Sequence, residues 1–412
     1  MLCLCEFSFS QVMITKTSYF KRKIIKELCF GNVLSAQQIA LKVNRSLPVA
    51  TKLLSELVQE GMIQESGFAL STGGRRPQMY SLSQGKIFVI SVAMDQFITT
   101  IALIDAQNHQ ISHAKKCNIN LFENPNNLDG LIACLEAFIT DASIEKEKIV
   151  GIGIGMPGFV DVSKGVNYSF LDNDNKSIPE YLEQLIGIPV FIDNDSSLIA
   201  LAESKLGAAK NRRNAMVINF GWGIGLGMIL NHQLFRGNNG FAGEFSHVHL
   251  FDNNKLCECG KSGCLETEAS LMVVIEKARE ALREGRISAI RNISDDFEEA
   301  LSTIIRAALK GDQLAVELLS EVAYNIGRGI AILIHILNPE LVVISGRGAT
   351  AGNILLAPMQ QAITKYCIPR LASYMQMVVS PFSANAELIG GAALVIENYE
   401  KNLRHSIKSS AA

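Results

Sequence analysis

A chain of 412 residues, 48% hydrophobic and 19% charged, is long enough for two or three domains with sizeable cores. No apolar run approaches the roughly 18–20 residues of a membrane span, and the apolar opening lacks the basic lead and small-residue cleavage site of a secretory signal. The formal charge of −2 hides an asymmetry: residues 1–82 hold ten Lys and Arg against five Glu, a surplus of +5 that leaves −7 for the rest and points to a polyanion partner at the basic end.

The apolar opening also fits a chain that starts at Met13. Residues 17–32 then place Ile24, Ile25 and Leu28 at helical spacing and stop at Gly31. Ser35 and Gln38 form a capping-box pattern, which predicts a short second helix through Ile39, Ala40 and Leu41. A turn at Asn44–Arg45 follows. Ser46 is placed to cap a third helix whose Ala50, Leu53, Leu54 and Leu57 face inward and which Gly61 ends. Short helix, turn and helix together make a helix-turn-helix.

Two strand-like segments, Met62–Glu65 and Gln78–Leu82, flank a Gly/Ser/Arg tip and predict a wing. On the exposed side of the third helix lie Ser46, Thr51, Lys52 and Ser55, which suit phosphate and base-edge contacts in a major groove, with Arg45 in reach of the backbone. Arg75 and Arg76 stand between flexible glycines and a stiff proline, a cationic tip suited to a narrow minor groove. A small interaction bundle with a solvated loop is the competing reading. Order, spacing and charge together favour double-stranded DNA.

From about residue 83 the pattern changes to strands alternating with helices. "GKIFVISVAMDQFITTIALID" predicts two strands joined by a tight turn. "KIVGIGIGMPGFVD" predicts a buried parallel-type strand and a Gly-Pro-Gly bend, with its glycines inside the strand, so it is no dinucleotide loop. "IGIPVFIDNDSSLIALAE" predicts a strand, then a helix capped near Asp195 or Ser196. "NAMVINFGWGIGLGMIL" predicts a strand, a glycine loop around Trp222 and a second strand. Residues 268–338 are mainly helical, and His335 on an apolar stretch reads as a satisfied core histidine. A Pro-bounded strand, a glycine turn and a final helix close the chain.

His247, Cys257, Cys259 and Cys264 supply one imidazole and three thiols, the closed tetrahedral set of a structural zinc. Gly260 and Gly263 permit the backbone angles of such a knuckle. Two disulfides are the alternative, but Cys257 and Cys259 sit too near each other for ordinary bridging. Nine cysteines, an odd number, suit a reducing cytoplasm. Glu244 and Glu266 flank the knuckle, and carboxylates beside an imidazole suit a polyol, although solvated loop glutamates would look the same.

The strings "AGEFSHVHL" and "CECGKSGCLE" resemble the signature of the ROK family, a group of sugar kinases and sugar-responsive repressors, and further motifs extend the likeness from about residue 83. The first 82 residues, including "GGRRP", resemble the winged domain of the family's repressors. The resemblance implies an α/β protein: a winged helix-turn-helix followed by a two-lobed actin/hexokinase-like (ribonuclease H-like) ATPase fold. It implies zinc at His247, Cys257, Cys259 and Cys264, and a sugar or sugar phosphate at Asn194, Asp195, Glu244, His247 and Glu266.

In family kinases the residue matching Asp195 is the general base, so here Asp195 is a vestigial base candidate. Ser197 stands where an Asn is usual. The kinases also carry Asp and then Gly-Gly-Thr in the first hairpin. Here Ala93 takes the place of the Asp, and Asp95, Gln96 and Phe97 that of the phosphate turn. Arg347 replaces a glycine on the adenosine side. A methyl cannot hold magnesium, and a new carboxylate opposes a triphosphate.

The domains expected are a DNA-binding domain over 1–82, a small lobe over 83–196 completed by 384–400, a large lobe with the knuckle and a helical oligomerisation region over 197–383, and a polar tail over 401–412. The function expected is that of a cytoplasmic, homodimeric or homotetrameric regulator, most simply a repressor, that binds operator DNA and is not an enzyme. A working ATP-dependent sugar kinase with a DNA-binding appendage, or a DNA-binding protein whose body holds a partner protein, are the alternatives.

Overall fold

In the computed structural model, which describes residues 3–69, 76–107, 109, 111–121, 127–171 and 176–401, with side chains from Lys16 onward, helices and strands alternate as the sequence suggests. By contact the chain divides into two units. One holds residues 1–155, 171–192 and 391–412, and the other 156–170 with 193–390.

The first unit begins with α1 (Cys3–Gly31), which buries Ile24, Ile25 and Leu28 and reaches well ahead of the Thr17 region where periodicity begins. After β1 (Val33–Ser35) comes α2 (Ala36–Val43), opened by a complete capping box. Gln38 N donates to Ser35 Oγ at 3.3 Å, and Ser35 N donates to Gln38 Oε1 at 2.8 Å. Asn44 ends α2 in the left-handed region at φ 55°, a conformation Asn tolerates better than most residues. In α3 (Leu47–Gln59), Ala50, Leu53, Leu54 and Leu57 are buried as expected. Ser46 occupies the cap position but makes no side-chain bond there; Pro48 within the first turn presets the helix instead. β2 (Ile63–Phe68) and β3 (Gln78–Leu82) pair antiparallel, and β1 joins to give the order β1-β3-β2.

Beyond it, β4 (Phe88–Met94), β5 (Thr99–Asp105) and β6 (Ile111–Cys117) form an antiparallel meander. The helix α4 (Asn127–Asp141) carries the chain to β7 (Ile149–Met156), which runs parallel to β4. A short hairpin follows, β8 (Val160–Asp161) with β9 (Val166–Asn167), and belongs to the second unit. Through α5 (Ile178–Ile186) the chain then enters β10 (Val190–Asn194), which completes the order β10-β7-β4-β5-β6. Gly153 is required where it stands: a Cβ there would lie 2.1 Å from the Gly391 carbonyl oxygen.

The second unit repeats this plan. Past α6 (Asp195–Lys205), the strands β11 (Ala215–Phe220), β12 (Ile224–Leu230) and β13 (Gln233–Phe235) form another antiparallel meander. Four helices follow, α7 (Glu266–Ala269), α8 (Leu271–Arg283), α9 (Phe297–Leu309) and α10 (Gln313–Leu337). β14 (Leu341–Ser345) then runs parallel to β11. After α11 (Leu356–Tyr366) and α12 (Pro369–Ala372), β15 (Gln376–Val379) pairs parallel with β14, and α13 (Ala386–Glu397) closes the chain. The order β13-β12-β11-β14-β15 is the first sheet's order over again. This duplicated meander-plus-crossover sheet is the actin/hexokinase-like fold. No helix among the described residues is long and apolar enough to cross a membrane.

His335 corrects an expectation. Its side chain is exposed at the end of α10, and Nε2 accepts the Ile368 N–H at 3.1 Å, so it caps a turn on the surface and is not a core residue.

Candidate effector site and metal centre

The knuckle forms as the spacing requires. Cys257 N donates to Lys261 O at 2.7 Å and Gly260 N to Cys257 O at 2.9 Å, with Gly260 and Gly263 at φ 80° and 73°. The donor atoms of His247, Cys257, Cys259 and Cys264 all lie within 4.8 Å of one another. Cys257 Sγ is 3.5 Å from His247 Nδ1, and Cys259 Sγ is 3.6 Å from Cys264 Sγ. The edge of a Zn–S tetrahedron is about 3.8 Å, so this donor set fits a tetrahedral borderline-soft cation. Sulfurs 3.6 Å apart are not bonded, and all three cysteines are free. Burial and the two neighbouring thiols push the Cys264 thiol up to about 12, crowding that a divalent cation relieves by taking thiolates as ligands.

With Nδ1 turned to the thiols, His247 leaves Nε2 on the side of Glu244, 3.8 Å from Oε2. Glu266 begins α7, and its Oε2 accepts the Ile224 N–H at 2.9 Å. Burial pushes Glu266 up to about 7 against that hydrogen bond, with the charges of Glu258 and Asp195 adding to the rise. Glu244 is raised by burial and then by Asp195. Asp195, Glu244 and Glu266 therefore share one electrostatic field, and His247 Nε2 borders it. Three carboxylates and an imidazole are a set of acceptors and donors for a hydroxyl-rich ligand.

Asn194, not Asp195 or Ser196, caps α6. Its Oδ1 accepts from Ser196 N at 3.0 Å and Ser197 N at 3.2 Å, and its Nδ2 donates to Gly158 O at 3.2 Å. The extended backbone at Asn194 aims its side chain back over the first turn, which frees Asp195 from the capping role. Asp195 Oδ1 accepts from Ser196 N at 2.7 Å, and Oδ2 accepts from Asn219 Nδ2 at 3.3 Å. Asn219 was invisible to sequence reasoning as a site residue; its place at the end of β11, before the glycine loop, was the available signal.

Those glycines have a packing role. A Cβ at Gly225 would sit 1.9 Å from Ser196 Oγ, and one at Gly227 2.2 Å from the Ala200 Cβ, so β12 admits α6 only with bare backbone. Trp222, in the same loop, is buried. Its ring meets Phe297 at 6.1 Å, and the Arg347 guanidinium lies 5.4 Å over it while pairing with Glu298. In the first hairpin, Ala93 pairs with Thr100, and Asp95 Oδ1 accepts from Phe97 N and Ile98 N, both at 2.8 Å. The amides of this turn are thus already held by a carboxylate.

On the helical face, Arg45, Ser46, Thr51, Lys52 and Ser55 are all exposed. Arg45 stacks 3.9 Å over the Phe20 ring, and the Thr51 and Ser55 hydroxyls donate to carbonyls one turn back. Arg76 is exposed, while Arg75 lies outside the described residues.

Residues 90–398 match the ROK family, and the chain belongs to it. It is 28% identical over 381 residues to a putative xylose repressor of Caldicellulosiruptor sp. (strain Rt8B.4), which covers 92% of this chain and 95% of that one. A glucokinase of Halalkalibacterium halodurans is 34% identical over 255 residues, which span 61% of this chain and 77% of the kinase. Among solved structures, a ROK family transcriptional regulator, a homolog of the Escherichia coli MLC protein, matches with a TM-score of 0.76 at 24% identity, covering 95% of this chain and 98% of that one.

Proposed function

We propose that this chain is a sugar-responsive transcriptional repressor whose kinase-like body no longer holds ATP effectively. Residues 1–82 would bind operator DNA as a winged helix-turn-helix. Lys52 and Arg76, with Arg45, Arg75 and the hydroxyls of Ser46, Thr51 and Ser55, would make the contacts. The remaining residues would form a small lobe over 83–196 with 384–400 and a large lobe over 197–383. A sugar or sugar phosphate would hydrogen-bond to Asp195, Glu244, His247 and Glu266, with Asn194 contributing at most its amide N–H.

Zinc, held by His247, Cys257, Cys259 and Cys264, would supply fixed geometry and no chemistry. His247, oriented through Nδ1, would present Nε2 to a hydroxyl, while Leu265 and Glu266 follow Cys264 directly into α7. The observation that supports this reading most is the contrast between Asp195, Glu244, His247 and Glu266, gathered in one electrostatic field, and a first-hairpin turn whose amides are taken by Asp95. The likeness to a repressor over 92% of the chain supports the same side.

A second reading, a working ATP-dependent sugar kinase, draws support from Asp195 and the Asn219 hydrogen bond that orients it. A coupled assay with ATP, magnesium and a panel of hexoses separates the two. Turnover at the level of an ordinary sugar kinase would defeat the repressor reading. Thermal stabilisation by a sugar without turnover is the expected outcome. Assembly as a homodimer or homotetramer completes the proposal, because a two-fold protein reads two half-sites.

A further inference from the structure

Three aromatic rings gather at the hairpin that Asn194 holds through Gly158. Phe159 and Tyr168 flank the β8–β9 hairpin, and Phe241 lies three residues before Glu244. Phe241 meets Phe159 edge to face at 5.4 Å and Tyr168 at 6.1 Å. Even so, Phe159 and Tyr168 remain 43% and 49% exposed.

The backbone ties them to the cluster. Gly158 O, one residue before Phe159, accepts the Asn194 Nδ2 proton at 3.2 Å, and Tyr168 N donates to Phe159 O at 2.9 Å. Gly240, at φ 95°, lies so close that a Cβ would sit 2.9 Å from Val160 O, which seats the Phe241 loop on the hairpin. Large rings left half open next to groups that bind hydroxyls suit a ligand with both hydroxyls and an apolar face. The neighbouring cations Arg236 and Lys164 pair with Asp193 and Asp161, and Lys164 also donates to the Tyr168 hydroxyl at 3.3 Å.

We propose, resting on the sugar-sensing reading above, that the effector is a saccharide with a second ring. Its first residue would give its hydroxyls to Glu244, His247 and Glu266, and its second would lay a C–H face on Phe159, Phe241 and Tyr168. The effector is then a disaccharide or longer glycan, and a free hexose or pentose is its weaker fragment.

Calorimetric titration of the full-length protein with matched pairs tests this: glucose with cellobiose and maltose, xylose with xylobiose, N-acetylglucosamine with its β-1,4 dimer. In at least one pair the disaccharide should bind about 10-fold tighter than its parent. Phe159→Ala and Phe241→Ala should each remove most of that gain and leave the monosaccharide within about twofold, as expected for a contact made only by the second ring. Equal or tighter binding of the monosaccharide in every pair overturns the proposal, and that comparison needs no variant. An equal loss for both partners in the variants overturns it too, since the rings would then be structural. A gain with phenyl β-glucoside, titrated alongside, but with none of the disaccharides replaces the glycan by an aryl glycoside and overturns the assignment. If neither these saccharides nor the 6-phosphates of glucose and N-acetylglucosamine, titrated alongside, bind at all, the sugar-sensing reading itself fails.

Discussion

Carboxylates do different work in this chain according to what sits against them. Glu203, fully buried in α6, accepts from Ala208 N at 2.9 Å and from the Ser345 and Ser380 hydroxyls. Burial nevertheless raises its carboxyl above the ordinary 4.5. A raised value in the folded state means that the stability it contributes is full below pH 4.5 and is lost as pH climbs through the raised value. Glu203→Gln should therefore gain on the wild type in melting temperature as pH rises from about 4.5, and scanning calorimetry from pH 4 to 8 reads that difference. A difference that stays flat would contradict the burial argument. Glu266 carries a second prediction. Glu266→Gln keeps an oxygen for the Ile224 N–H but gives up a charged acceptor, so saccharide affinity should fall by about 10- to 150-fold with the fold intact. Titration calorimetry beside circular dichroism checks both halves.

Where short-range chemistry decides an element, the sequence reveals it. The α2-turn-α3 segment follows from Ser35, Gln38, Asn44 and the spacing of four apolar residues, all within two dozen positions. The knuckle is equally local: its glycines and donors lie within eighteen residues of one another. Less legible are contacts closed by distant chain, such as Arg236 on Asp193, Asn219 on Asp195, or the packing of Ser196 and Ala200 that Gly225 and Gly227 allow. Asn194 was legible as polar but not as the cap, because adjacent Asn, Asp and Ser are all good caps and only the backbone chooses. Two predictions belong to these elements. Cys257→Ser should lose metal and saccharide binding together, by metal analysis and calorimetry on one preparation; a variant without metal that binds saccharide normally would uncouple the knuckle from the site. Lys52→Ala on α3 should weaken DNA binding across sequences and lower the slope of log affinity against log salt by about 1, the mark of one lost phosphate contact.

At the scale of the whole molecule, the same five-stranded plan occurs twice, and a small helical module with its own three-stranded sheet precedes it. The regulator proposed above requires a coupling free energy between two ligands: a saccharide that binds one DNA-affinity state better must change DNA affinity by the same factor. A coupling of about 1–3 kcal/mol would change DNA affinity roughly 5- to 150-fold, which is enough for a switch. The most direct measurement is fluorescence anisotropy on a duplex that the full-length protein has selected from a random pool, titrated with and without the saccharide that stabilises it most. A shift of about 5- to 150-fold in DNA affinity is the predicted result. Affinity for that duplex that saccharide leaves unchanged, or that never exceeds affinity for arbitrary DNA, would contradict it.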